Sequence, residues 1–559
     1  MRRVVLVTAT LLGGCTPAGP QPPDLATLGA AGLRAIDAKQ LETNTKFLAS
    51  DALAGREPGT DGDASAEVFI AEQFRALGLE PGGDNHTYFQ TVPLRRAERD
   101  DAHTSFVVHR EGADISLAPI REALLVADPR NGKVAIVNAP LVFVGYGLAV
   151  PGYNDLDGVD LHGAIAIVYA GAPRTIGGAA VSTAQHAVLS DLKVRGVALH
   201  ARGAVAMISI FDPVRAERMP YDQWVTKIVG PSMAWLDNGQ VGSLPVLPNG
   251  VISEAAADRI AGGAKLHAIW QQLDRGVPAR LTLDATASLT ITAELRDVTS
   301  RNVVGVLRGS DPKLAAELVI YSAHHDHLGI GPAIDGDAIY NGALDDAIGV
   351  AGIIEIARAF VALPQRPRRS IMFLAVTAEE KGLLGSDYYA AHPTVPLANI
   401  ACNINLDGLQ PMWEPHDIIA LGAEHSTLAA HVGAAARALG LAVGQDAEPE
   451  QVFFIRSDQY SFVKRGVVAV FPGSGYMDAT GHFDANRALA DRWSMQRYHR
   501  PADEWQPEFR ADWAAREASF DFLLGLSVAI TADRPRWNRG DVFEHPSVAI
   551  HDAAGVAGR

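Results

Sequence analysis

The sequence predicts an α/β protein: a mixed, mainly parallel sheet flanked by helices, with a β-rich unit inserted into it. Three observations lead there. From about residue 295 onward, short apolar runs alternate with helix-length stretches, the signature of parallel strands joined by helical crossovers. From about 115 to 292 the texture is different, with short β-like runs punctuated by Gly and Pro. The chain has 559 residues, of which 48% are apolar and 20% charged. At roughly 100–200 residues per domain this is ordinary globular material for two to four domains.

The chain opens Met1-Arg2-Arg3, followed by the mostly apolar Val4–Leu12 and then Gly13-Gly14-Cys15. This is a charged n-region and an h-region of signal-peptide length, too short to span a bilayer. It resembles a bacterial lipobox, in which Cys15 is lipidated and becomes the anchor; a plain secretory signal is the alternative. Both readings imply export, to the periplasm or outer membrane or into the medium. Residues 16–36, opening with Pro17, Pro20, Pro22 and Pro23, read as a stiff tether. Ala38–Leu53 and Ala64–Leu77 read as helices separated by the Gly-rich break Gly55–Thr60, the second stopping at Gly78.

Leu318–Ala323, Ser370–Thr377 and Ile400–Leu406 are continuous apolar runs of buried-strand type, Val467–Phe471 is a further one, and Asp346–Leu363 reads as a helix. The tail after Trp537 is polar and rich in small residues.

Charge and cysteine content exclude several classes. The formal net charge is −16, with 48 Lys and Arg against 64 Asp and Glu. This argues against a general nucleic-acid or anionic-membrane binder, leaving membrane contact to Cys15 alone. Two cysteines, Cys15 and Cys402, cannot build a disulfide framework or a Cys-rich zinc module. Cys402 lies in an apolar stretch and reads as a buried thiol.

The chemistry concentrates at the strand exits. Leu318–Ala323 runs into His324-His325-Asp326-His327-Leu328-Gly329. Asn341–Gly349, with Asp345-Asp346, precedes the helix; Ala378-Glu379-Glu380-Lys381-Gly382 follows the second strand; Asp407-Gly408 follows the third; and Tyr498-His499-Arg500-Pro501-Ala502-Asp503 comes late. Each alone has a bland reading: a helix cap, a solvated glutamate pair, a core histidine. Together they place carboxylates and imidazoles at the carboxyl ends of parallel strands, where such sheets bind ligands. Converging carboxylates repel, and a pair of divalent, zinc-like ions is their natural compensation.

These segments, in this order and spacing, resemble the successive motifs of the M28 family of zinc peptidases. Val142–Gly147 with Asp155–Asp160 and Gly163 resembles a protease-associated (PA) domain. The resemblance implies a zinc-exopeptidase (phosphorylase/hydrolase-like) fold over 37–115 and 293–537, a PA-like insert over 116–292 and a tail over 538–559. It implies two zinc ions, cobalt or manganese being possible replacements. His324 and Asp407 would hold one, Glu380 and His499 the other, and Asp345 would bridge them. Glu379 matches the general base, and Asp326 a carboxylate that orients an imidazole or tunes that base. Tyr498 matches a donor to the substrate carbonyl, and Arg456-Ser457-Asp458 a segment lining the cleft. His327 resembles a histidine of bacterial relatives that is not a ligand. Leu344 and Ile348 depart from the family pattern without touching a ligand position.

The implied activity is hydrolysis of peptide bonds, with release of N-terminal amino acids the first expectation. Carboxypeptidases and glutaminyl cyclases share the fold, and some relatives with PA domains are non-catalytic binders.

Overall fold

A computed structural model of the protein describes residues 24–545 apart from 229 and 243–246. The signal segment, Cys15 and Pro17–Pro23 lie outside the described residues.

The apolar runs form the centre of the sheet. Leu318–His324 lies in parallel between Ser370–Val376 and Ile400–Asn405, and Ile400–Asn405 pairs in parallel with Ala469–Ser474. Because side chains alternate along a strand, each buried strand needs cover on both faces. Val319, Tyr321 and Ala323 face Ile353, Ile356 and Phe360 of the helix Ile348–Val361, together with Phe520 and Leu524 of the helix Ala511–Ile530. Leu318 and Ile320 face the other way, towards Tyr389 and Phe462. The result is helix, sheet and helix in three layers, the fold class the sequence predicts.

A 27-residue strand, Leu281–Leu307, joins the two halves of the molecule. Its end pairs antiparallel with Ser370–Val376 and its middle with Phe89–Arg99. Its start pairs with Lys133–Phe143 and Ser105–Arg110, inside a second core. In that core Ile165–Ala170 runs parallel to Leu141–Phe143 and to Ala206–Phe211, under the helix Glu254–Ala261. Phe106, Val108 and Leu117 belong to this second core, so it takes in residues 105–115, which the sequence reading grouped with the catalytic region. In the other direction, Ser232–Asp237 pairs with Phe89–Arg99, and its Trp235 packs near Ala378 and Leu384.

One expectation for the chain ends needs correction. The tether stops short of residue 36, because Leu25–Ala35 is a helix. Its Gly29 and Gly32 pack on Phe522 and Leu523; the prolines stiffen only the segment before it. Among the described residues of the tail, Phe543 is buried against Phe454 and His425. Cys402 is a buried free thiol, as its apolar setting implies.

Candidate active site

The site lies at the carboxyl ends of the parallel strands. His324 is the last residue of its strand, and Glu379-Glu380 and Asp407 lie within four residues of the ends of theirs, Val376 and Asn405. The stretch from 341 to 349 must double back under them, and this explains one glycine. Gly342 has φ +59, and a Cβ there would meet Asp345 O at 2.2 Å and the His327 ring at 2.6 Å.

The loops are tied to one another by buried carboxylates. Asp346 accepts hydrogen bonds from the backbone N–H of His324 (3.2 Å), Gly349 (2.9 Å) and Gly408 (2.8 Å). Asp326 accepts from Glu379 N (3.0 Å) and Glu380 N (3.4 Å), fixing the glutamate turn. Asp503 accepts from Leu344 N (3.2 Å) and Asp345 N (3.1 Å); burial, with Asp345 adding to it, pushes its carboxyl up to about 7.

Arg56 serves the same end with the opposite charge. Its fully buried guanidinium donates to the carbonyls of Leu48, His325 (2.8 Å), Asn341 (2.7 Å) and Gly342 (3.0 Å). Gly55, at φ +71, makes the approach possible, since a Cβ would lie 2.5 Å from the Gly329 and Tyr340 carbonyls. Neither Arg56 nor Asp503 stood out as a site residue in the sequence. Their partners are backbone groups far along the chain, which leave no local pattern.

The five ligand positions implied by the resemblance converge. Asp345 stands between the two histidines: Oδ1 is 3.1 Å from His324 Nε2, and Oδ2 is 3.0 Å from His499 Nε2. Asp407 Oδ1 is 3.6 Å from His324 Nε2, and Glu380 Oε2 is 3.1 Å from His499 Nε2. Both imidazoles are oriented by carbonyls, His324 Nδ1 by Asp326 O (3.1 Å) and His499 Nδ1 by Lys227 O (3.0 Å). A carbonyl only accepts, so both Nδ1 atoms carry protons and both Nε2 atoms face the carboxylates. His327 comes closer than its non-ligand reading suggests, with Nδ1 2.6 Å from Glu380 Oε1.

Charge is unbalanced here. Burial works against a charged His499, but Glu380 and Asp345 outweigh it and push the imidazole up to about 10. Burial lifts Glu379 well above the usual carboxylate range, and Asp407 and Glu380 add to this.

The site opens into a cleft of about 750 Å³. Its lining includes Asp345, Glu379, Asp407 and Tyr498, the apolar Leu409, Met412, Trp413 and Phe453, and Arg218 and Met219 at the end of the helix Pro213–Arg218. Tyr498 stacks on His499 at 3.9 Å between ring centroids. Asp458 is placed differently from its sequence expectation: it is fully buried, and its neighbours Arg456 and Ser457 line the cleft instead.

Glu517 forms part of the cleft lining and is almost wholly buried. Burial, partly offset by Ser474, holds its carboxyl at about 7 against an ordinary 4.5. The raised value means that the folded state keeps a proton the unfolded chain releases. The penalty is therefore absent below pH 4.5, grows towards about 7 and is full above it. Glu517→Gln should stabilise the fold at pH 8, by up to about 3 kcal/mol, and change little at pH 4.5. Urea unfolding at the two pH values checks this, and an equal effect at both would contradict it.

Residues 302–523 match the model of peptidase family M28. Aminopeptidase YwaD of Bacillus subtilis (strain 168) is 32% identical over 135 residues, 24% of this chain and 27% of that protein. The glutamate carboxypeptidase 2 homolog of Caenorhabditis briggsae is 25% identical over 394 residues, 63% of this chain and 49% of that protein. The chain thus spans less than half the length of these curated relatives. An aminopeptidase structure from Aneurinibacillus sp. strain AM-1 shares the fold with a TM-score of 0.51 at 21% identity, covering 91% of this chain and all of that one. The stretch that matches the M28 model contains the parallel strands and all five converging ligand positions, and over it this chain is similar to peptidase family M28.

Proposed function

We propose that the protein is a di-zinc aminopeptidase. The observation that carries this reading is Asp345, whose two oxygens face two different imidazoles, each with a further carboxylate beside it.

The donor set fits two zinc-like ions. Zinc bonds of about 2.0–2.2 Å in tetrahedral array leave ligand atoms roughly 3.3–3.6 Å apart, close to the 3.0–3.6 Å separations around Asp345. His324 Nε2 and Asp345 Oδ2 are buried without a hydrogen-bond partner, as atoms awaiting a cation would be. His324 and Asp407 would hold one ion, Glu380 and His499 the other, with Asp345 shared. Bound there, the ions would acidify a water and polarise the scissile carbonyl.

The chain's own residues supply the rest. Glu379 lines the cleft, held at its backbone by Asp326, and its carboxylate takes the proton of the attacking water. It then returns that proton to the departing nitrogen, so its charge is restored at the end of the cycle. Tyr498, fixed against His499 and Trp493, donates a hydrogen bond towards the oxygen that gains charge.

Charge in the cleft favours a substrate with a free amine. Beyond the metal set and the protonated Glu517, Glu217, Asp446, Glu448 and Asp491 line it, against Arg218, Arg456 and Arg487. Arg218 and Arg487 already pair with Glu448. Arg456 instead lies over the Phe453 ring and bonds the Gln451 carbonyl. A guanidinium not paired to a carboxylate could receive a C-terminal carboxylate, and it supports carboxypeptidase action as the second reading.

Peptides with free, acetylated and amidated ends, together with N-terminal Gln peptides, decide between them by mass spectrometry. Chelator-sensitive loss of the first residue from free N-termini alone is the expected result. Loss of the last residue, or cyclisation of Gln, would overturn the aminopeptidase reading.

The second core is proposed to be the PA-like insert, covering 105–292. Export with a lipid anchor at Cys15 is also proposed. Among the described residues no helix is long and apolar enough to cross a membrane. Cys15→Ser should release the protein from the membrane fraction, and continued membrane association would refute the anchor.

A further inference from the structure

We infer that Lys227, between the strands Ala206–Phe211 and Ser232–Asp237 of the insert, is a positioning residue for the metal centre, and that the insert therefore builds part of the active site rather than merely overhanging it. This rests on the two-ion reading above.

The key contact crosses 272 residues. His499 Nδ1 donates to the Lys227 carbonyl at 3.0 Å. That bond sets the tautomer and turns Nε2 towards Asp345 and Glu380, at 3.0 and 3.1 Å. His324 needs no such help, because its Nδ1 acceptor is the nearby Asp326 carbonyl. One half of the site is oriented locally, the other from the insert.

The Lys227 carbonyl is itself held in place. The residue is 3% exposed. Its backbone N–H donates to Trp224 O at 2.9 Å. Its ammonium donates to the Ser494 carbonyl and lies 5.1 Å from the Tyr498 ring centroid. Ser494 belongs to the helix Asp484–Gln496, which leads directly into Tyr498-His499. The lysine side chain and its own carbonyl thus grip the same loop at two points. The segment is anchored within the insert, where Tyr221 donates to Ile120 O at 2.6 Å and Trp224 packs edge-on to Phe211. A second insert residue reaches the other loop: Lys193 Nζ donates at 3.0 Å to the carbonyl of Gly382, two residues beyond Glu380. The insert therefore touches both loops that carry the Glu380–His499 half of the site.

The test is zinc titration of the metal-stripped full chain against a chromophoric chelator, with Lys227→Met and Lys227→Arg beside wild type. Methionine keeps the apolar stem and the packing but removes the anchor to Ser494. Lys227→Met should bind one ion as wild type does and the other about 10–100-fold more weakly, the range for groups that orient a ligand. Lys227→Arg, which still donates to the carbonyl, should recover most of the loss. Wild-type affinity for both ions in Lys227→Met would overturn the inference, as would equal weakening of both. The wild-type stoichiometry is read in the same titration, so failure of the two-ion reading shows there and not in the comparison of variants. If Lys227→Met does not fold, Tyr221→Phe removes the bond to Ile120 at the root of the segment, and the same selective weakening is expected or the inference fails.

Discussion

Glu379→Gln protein is expected to fold, to bind its metal ions as wild type does, and to turn over about 10²–10⁴-fold more slowly, the usual contribution of a positioned general base. The amide is nearly the same size but cannot take a proton from water at neutral pH. The turn that carries it is fixed through the backbone, by Asp326 bonds to Glu379 N and Glu380 N, so the substitution leaves the loop in place. Glu379 does not share the close contacts of Asp345 and Glu380 with the imidazoles, which separates the base from the ligands. Zinc content and kcat/KM, measured on one preparation, check this. Undiminished turnover would remove Glu379 from the chemistry; loss of metal with the activity would make it a ligand.

Asp345→Asn should do more damage, and of a different kind. The wild-type carboxylate presents one oxygen to each half of the site. The amide loses the negative charge that balances both cations and turns an N–H₂ group towards one of them. Affinity for metal should fall by more than about 100-fold, since even groups that only orient a ligand reach that figure. Activity should vanish at ordinary zinc concentrations, and added zinc should no longer raise the melting temperature, because stabilisation by a ligand follows its occupancy of the folded state. A variant that still binds two ions would show that Asp345 is not shared.

Much of this was legible in the sequence because the relevant signals are local. Leu318–Ala323, Ser370–Thr377 and Ile400–Leu406 read as strands because buried parallel strands are continuous apolar runs, and their observed bounds differ by one residue. The charged residues after them stood out against that apolar background. What remained hidden depends on contacts between distant backbone groups. Arg56 reaches carbonyls 269 to 286 residues away, and Lys227 contributes to the site through its own carbonyl. A backbone acceptor has no residue type, so no spacing can reveal it. The helix Leu25–Ala35 was obscured by the prolines before it, whose stiffness does not extend into the Ala- and Leu-rich stretch that packs on Phe522 and Leu523. Asp458 shows the opposite error: its neighbours face the cleft, while its own side chain turns into the interior.

The most direct test of a carboxylate shared by two cations is anomalous diffraction from zinc-loaded crystals, recorded on both sides of the zinc edge. Two peaks are expected, one between His324, Asp345 and Asp407, the other between His499, Asp345 and Glu380. A single peak, or a pair that leaves Asp345 uncoordinated, would contradict the proposed centre.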